Sequence, residues 1–520
     1  MQDIIVNDNL VDMPKPNYSY ITNTEEALRN LELIERYDVI EVDTETTGLD
    51  PFVDKVVLLQ LGVINKSYVF DVRKGNVNAQ IFKPLLKNKK NLKILQNAVF
   101  DYEMLKTNFN IEINRMYCTM IAEQLIYLGL HTPSNLQYLV AKYLSLNMPK
   151  DITHSFENYN QKYQEYQLRY AANDVSVLQA IYNLQLSRLR KDGLMRVAQL
   201  EFEFIKALSE MELNGMLLDV PKWKNIIGEM VIERDKLRIQ LHNVFNKTVN
   251  QTTLFDVSLL NLDSPLQLVK GLNSLGVEVE STDIKELVKY KDNSVVSLLL
   301  KYRKYEKFIT TYGDAMINRI HPKTGRLHTS FKQMVDTGRL SSSNPNLQNI
   351  PKEQRYRSCF IARPGYKLIT SDMSQAELRI LAEYSKDPSF LEAYRTGEDI
   401  HVRTCCDVFG VTKEEVEIDK NLPEDHPDKK GYRNAVKAIN FGLIYGLTKV
   451  GLARRLGISE KKADEYIGKY FAKYIKIKNW LDKASKFAIM NRYSTTISGR
   501  RRYYRLPNTS DSSFNSRTPR

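Results

Sequence analysis

Arg433, Lys437, Phe441 and Tyr445 stand four residues apart in the run Arg433-Asn-Ala-Val-Lys437-Ala-Ile-Asn-Phe441-Gly-Leu-Ile-Tyr445-Gly446. On an α-helix, positions i and i+4 share a face, so two cations and two aromatic rings line one side of about three turns. Arginine and lysine suit a polyphosphate. A ring one turn further on suits a flat base. Val436, Ile439, Leu443 and Ile444 fall on the opposite side, where they can pack inward. Such a helix has the chemistry to hold a nucleoside triphosphate. An ordinary amphipathic helix with a basic exposed face has the same spacing.

A second set is acidic. Asp43 and Glu45 sit in Asp38-Val-Ile-Glu-Val-Asp43-Thr-Glu45-Thr-Thr-Gly-Leu49, where a strand would point both to one face. Asp101 closes Gln96-Asn-Ala-Val-Phe-Asp101, and Tyr170 and Asp174 are one helical turn apart in Tyr170-Ala-Ala-Asn-Asp174. Carboxylates brought close repel unless a cation neutralises them. Four of them can hold two divalent metals, which bind the attacking water and the leaving oxygen of a phosphodiester. Tyr170 is placed to orient that water. One Asp-x-Glu alone has little specificity, since surface carboxylates are common; the ordered set of three segments has more.

Composition narrows the classes. The chain has 520 residues, 42% hydrophobic and 26% charged, which fits three or four globular domains. A formal net charge of +13 favours a polyanionic partner. Cys118, Cys359, Cys405 and Cys406 form no zinc pattern, and a reducing cytoplasm is expected. No GxxxxGK[ST] is present, which disfavours a P-loop motor. Neither a signal peptide nor a membrane span is expected from the N-terminal residues or from any apolar run.

Arg433-x3-Lys437-x3-Phe441-Gly-x2-Tyr445-Gly446 resembles motif B of family A DNA polymerases, the bacterial polymerase I type. The Asp43/Glu45, Asp101 and Tyr170/Asp174 segments resemble the three motifs of the DEDDy 3′→5′ exonucleases; Cys118-Thr119 departs from the Asp-Thr common there. Ser371-Asp372-Met-Ser-Gln375-Ala376-Glu377-Leu-Arg-Ile380 resembles motif A. By that resemblance Asp372 holds the polymerase metals, Glu377 excludes a ribose 2′-hydroxyl, and Gln375, His401, Arg433, Lys437, Phe441 and Tyr445 bind the incoming nucleotide. Phe441 in place of tyrosine implies discrimination against dideoxynucleotides. Thr337 to Pro351 resembles a template–primer contact motif, which puts Arg339, Asn344, Asn346, Gln348, Asn349 and Arg357 on DNA, with Arg500 and Arg501 in the return from fingers to palm. The implied cofactor is Mg²⁺, or Mn²⁺, at both metal sites.

The elements that must position these residues follow. Val39 to Asp43 is expected as a strand beside Val56 to Leu61, with Leu92–Leu95 as another strand. The resemblance implies an α/β multi-domain protein. A ribonuclease-H-like exonuclease domain (1–190) precedes an incomplete right-hand polymerase. Its parts are a helical thumb and the start of the palm (191–325), palm (326–400), fingers (401–495) and a return to the palm (496–520). Long helices are expected over Trp223 to Val249 and Leu298 to Thr311, and Ser264 with Pro265 marks a helix start. Tyr366 to Asp372 is expected as a strand, and Glu414 to Lys430 as a loop. Lys150 is placed in a loop after the helix near residue 135.

No His-Asp-Glu, the motif C of relatives, occurs in the sequence. The expectation is therefore a DNA polymerase with a proofreading exonuclease whose polymerase half works weakly or not at all alone. A second chain, or a further segment, would supply motif C. A stand-alone exonuclease and a non-catalytic DNA-binding subunit are the alternatives. Expected partners are primer–template DNA and dNTPs, without a membrane, in the cytoplasm of a bacterium or of a phage host.

Overall fold

The computed structural model describes residues 10–148, 152–249, 260–423 and 426–505. The Lys150 expectation, and the end of the chain after residue 505, lie outside them. The chain divides into two compact units, one from residues 1–124 and 133–368, the other from 125–132 and 369–520.

The first unit is built on a six-stranded sheet. Its spatial order is Tyr18–Ile21, Lys66–Asp71, Val56–Val63, Val39–Thr46, Leu92–Leu95 and Met116–Cys118. Val56–Val63 pairs antiparallel with both of its neighbours; the other three pairings are parallel. All eight residues of Val56-Val-Leu-Leu-Gln-Leu-Gly-Val63 are buried, as a continuous apolar run implies for a strand covered on both faces. Helices Ala98–Phe109 and Glu165–Ser176 pack against it, and Leu178–Lys191 packs against Val39–Thr46 and Leu92–Leu95. Helix Met195–Asn214 then ends at Gly215, whose φ of 53° and whose close approach to the Leu327 carbonyl both require glycine.

Beyond it, helix Val220–Val249 packs along helix Ser294–Tyr312. Trp223 is fully buried there, and its indole N–H donates to the Tyr312 carbonyl at 2.8 Å. Ser264 caps helix Pro265–Ser274 by accepting from the Gln267 N–H, as expected from Ser-Pro. A short hairpin joins Ser330–Lys332 to Ser341–Ser343.

The second unit is helical, with helices Ala376–Ser385, Pro388–Thr396, Ile400–Phe409, Lys413–Asn421, Tyr432–Ile444, Lys449–Leu456, Glu460–Lys473 and Ile475–Asn491, then a hairpin of Tyr493–Thr495 and Arg501–Tyr503. Leu378, Phe390, Ile400, Ile439, Leu452, Tyr470 and Tyr474 meet in its core.

Two expectations fail. Tyr366 to Asp372 is not a strand but an exposed segment without regular secondary structure, with Ile369 91% exposed. β-rich composition makes a strand only where a neighbour takes the backbone N–H and C=O groups, and no described strand lies beside it. Residues 414–421 of the expected loop lie in helix Lys413–Asn421. Thr412 and Glu415 make a reciprocal capping box, which starts a helix too charged to show an apolar face in the sequence. No helix among the described residues is long and apolar enough to cross a membrane.

Candidate exonuclease and nucleotide sites

Strand Val39–Thr46 delivers Asp43 and Glu45, and helix Glu165–Ser176 delivers Asp174. One carboxylate oxygen from each lies within 4.8 Å of the other two. Asp101, on helix Ala98–Phe109, is not in that group of three. It reaches the strand at Thr44, whose hydroxyl donates to Asp101 Oδ1 at 2.7 Å. Asp43 faces all three other acids. Burial, and then the charges of Asp101, Asp174 and Glu45, push its carboxyl well above the usual range. Burial also pushes Asp101 up to about 7, against the pull of the Thr44 hydroxyl. The cluster is therefore short of positive charge. Its donors are hard carboxylate oxygens on convergent, rigid elements, a set that fits a divalent cation. Tyr170 sits one turn before Asp174 on the same helix, with its ring 6.4 Å from that of Phe156.

In the second unit, helix Tyr432–Ile444 carries Arg433, Lys437 and Phe441, and Tyr445 closes it, 60% exposed. Val436, Ile439 and Leu443 are buried, as expected for its inward side. Asp399 caps helix Ile400–Phe409 through the His401 N–H and also holds the Arg433 guanidinium at 2.7 Å. Burial pushes Asp399 up, but Arg433 and the His401 N–H outweigh it and hold the carboxyl below its usual value. The His401 ring lies 5.9 Å from that of Phe441. Burial, assisted by Arg433 and Lys437 against the pull of Asp399, lowers His401 to about 4, so it is neutral at pH 7.

Asp372 lies in the exposed segment before helix Ala376–Ser385, and no group of three or more metal-ligand side chains among the described residues includes it. Gln375 precedes that helix at φ 55°, and Glu377 is in its first turn.

The expected DNA-contact loop is folded on its own side chains. Asn346 Oδ1 accepts from the N–H groups of Gln348 and Asn349, and Gln348 bridges the Ser342 N–H and the Leu340 carbonyl. Asn344 accepts from Arg319, and Arg357 donates to the Pro351 carbonyl. Arg339 is exposed, and Arg501 stacks over Tyr493 at 4.8 Å. Arg500 is half-buried beside it in the chain.

Comparison with known proteins decides the family. The profile of DNA polymerase family A matches residues 234–520, more than half of the chain, and a 3′-5′ exonuclease profile matches residues 18–189. The chain belongs to DNA polymerase family A. DNA polymerase I of Borreliella burgdorferi is 33% identical over 97% of this chain and 55% of its own length. That of Aquifex aeolicus is 31% identical over 90% of this chain and 80% of its own length. DNA polymerase I of Pseudomonas aeruginosa is 32% identical, with 53% of its length covered. The chain thus spans about half the length of the Borreliella and Pseudomonas relatives. The solved polymerase domain of Pol1 from M. smegmatis, in complex with DNA primer-template and dNTP, superposes with a TM-score of 0.78 at 22% identity. It covers 95% of this chain and 83% of that one, which establishes the shared fold.

Several residues of this family A chain escaped sequence reasoning. Thr44 stands between two of the acids and donates its hydroxyl proton to Asp101. Gln60, fully buried and opposite Asp43 in the ladder, donates to Glu45 Oε1 at 3.4 Å. Asp399 pairs with Arg433 from 34 residues away. Asp419 accepts from the N–H groups of Lys430, Gly431 and Tyr432 at the start of the Arg433 helix. Only a polar residue within an apolar run, as Gln60 is, leaves a trace in the sequence.

Proposed function

We propose that the chain is a template-directed DNA polymerase with a 3′→5′ proofreading exonuclease. Residues 1–190 form the exonuclease domain, followed by thumb (191–325), palm (326–400), fingers (401–495) and a return to the palm (496–520). The observation that carries the exonuclease half is the convergence of Asp43, Glu45 and Asp174, with Asp101 facing Asp43. These carboxylates would hold Mg²⁺, with Mn²⁺ as a substitute. Bound there, the ions activate water and neutralise the leaving oxygen. The chain's own residues do the rest: Tyr170 orients the attacking water, and the buried strand fixes the two acids against the scissile phosphate.

For polymerisation, Arg433, Lys437 and His401 would bind the triphosphate, Phe441 would pack on the sugar and base, and Tyr445 would stand at the insertion point. Gln375 and Glu377 would face the sugar, with Glu377 excluding a 2′-hydroxyl. The primer 3′-oxygen bonds to the α-phosphorus as pyrophosphate leaves. Arg339, Asn344, Asn346, Gln348, Asn349, Arg357, Arg500 and Arg501 would contact primer–template. Asp372 belongs to no group of three metal-ligand side chains among the described residues, so polymerisation is proposed to need a further carboxylate, from another segment or a second chain. The free cysteines suit a bacterial cytoplasm.

A second reading, a stand-alone exonuclease, is favoured by the contrast between the assembled acids and the exposed Asp372, which joins no such group among the described residues. Primer extension with Mg²⁺ and four dNTPs, beside degradation of a labelled single strand, separates the two. Degradation that disappears with Asp43→Ala or EDTA supports the exonuclease. Extension by an Asp43→Ala protein that disappears with Asp372→Ala supports the polymerase. Absence of metal-dependent degradation would remove the exonuclease assignment.

A further inference from the structure

Behind the Arg433 helix lies a buried polar chain that the motifs did not announce. Asn440, Thr404 and His401 are 0%, 0% and 3% exposed. Asn440 Nδ2 lies 3.1 Å from His401 Nδ1 and 3.3 Å from Thr404 Oγ1. Proton counting fixes the direction of each bond. Thr404 spends its only hydroxyl proton on the Ile400 carbonyl one turn earlier, at 2.7 Å. The nearby Tyr474 hydroxyl gives its proton to Asp407 Oδ2, also at 2.7 Å. With that proton engaged, Thr404 Oγ1 accepts from the Asn440 amide nitrogen, the orientation that leaves Asn440 Oδ1 buried and without a hydrogen-bond partner. The same nitrogen faces His401 Nδ1, which must then accept as well and carry no proton. A neutral imidazole with an accepting Nδ1 carries its proton on Nε2.

We propose that Asn440 is a positioning residue that locks His401 as the Nε2–H tautomer, so that the ring offers a neutral N–H donor to a nucleotide phosphate beside the cations of Arg433 and Lys437. The proposal rests on the nucleotide-binding reading of this helix for its purpose, but not for its geometry. A neutral donor suits the position: Arg433 and Lys437 already supply charge, and a third cation among them would repel both when no nucleotide is bound. The groups facing the ring are Asp399 beside its own helix, and Arg433, Lys437, Asn440 and Phe441 on the packed helix.

The test is a nitrogen-15 histidine spectrum of the 520-residue chain at about pH 7.5, with His401→Gln to assign the signal. The Nε2–H tautomer is expected in the unaltered protein, and Nδ1–H or a cationic ring there would overturn the proposal without any variant having to fold. Asn440→Leu should show both tautomers and bind dATP about tenfold more weakly. Asn440→Asp cannot donate to Nδ1. It should raise the His401 pKa toward neutrality and make dATP affinity depend on pH between about 6 and 9, where the unaltered protein is flat. An unchanged tautomer and a flat profile in both variants would also overturn it. If the unaltered chain binds no dATP, the nucleotide site is lost, while the spectrum still decides the role of Asn440.

Discussion

Asp101→Asn should abolish exonuclease activity and, without metal, make the protein more stable at alkaline pH. The Asp101 carboxyl rises from an ordinary 3.8 to about 7, chiefly through burial. Between those values the folded chain holds a proton that the unfolded chain has released. Stability is therefore full below about pH 4, declines as pH rises, and stays low above about pH 7. Three units at about 1.4 kcal/mol each give about 4 kcal/mol as the ceiling. Asparagine keeps the Thr44 hydrogen bond only in a neutral form, so a net gain of about 2 kcal/mol is expected, or roughly 2–3 °C in the melting of a unit of this size. The assay is scanning calorimetry in EDTA at about pH 8 and about pH 5. The variant should melt higher at the first pH, and the gap should close at the second. Saturating Mg²⁺ should reverse the order, because a cation at 100 times its Kd adds about 2.7 kcal/mol to the protein that binds it. Equal melting of the two proteins in EDTA at the higher pH would refute the claim that the acids await a cation.

Three further outcomes are expected. Asp399→Asn keeps a good helix cap but frees Arg433 from a competing anion, so dNTP affinity measured by calorimetric titration should rise about fivefold; a fall would mean that Asp399 holds Arg433 in its binding pose. Asp419→Ala strands three N–H groups at the start of the Arg433 helix and should lower stability by about 2 kcal/mol in urea unfolding. Gly215→Ala forces a side chain into a positive φ and against the Leu327 carbonyl; a loss of at least about 2 kcal/mol is expected, and a neutral result would contradict the described turn.

What the sequence made legible was local. The alternation through Asp43 and Glu45, the turn between Tyr170 and Asp174, and the apolar side of the Arg433 helix depend only on the period of one element, and the structure has each in place. What it hid depends on partners. Tyr366 to Asp372 has strand-like composition but no described neighbour to pair with. Helix Lys413–Asn421 announces itself by its capping box rather than by an apolar stripe. Asp101, grouped with the other acids, does face Asp43, but its bond to the Thr44 hydroxyl depends on how helix Ala98–Phe109 meets the strand. Asn440 lies inside the most recognisable stretch of the chain, and its task became visible only with helix Ile400–Phe409 packed beside it.

The grip of Asp419 on residues 430–432 bears on how this region could be rewired. The start of the Arg433 helix, together with the two residues before it, is anchored through space to the helix ending at Asn421. The connection that follows Leu422 can then be cut, lengthened or given a fluorescent insert at small entropic expense, since the cost of closing a loop grows only with the logarithm of its length. A chain severed between Leu422 and Lys429 should keep both halves together through Asp419, and a reporter placed there would sit close to the binding helix without replacing any residue that Asp419 holds.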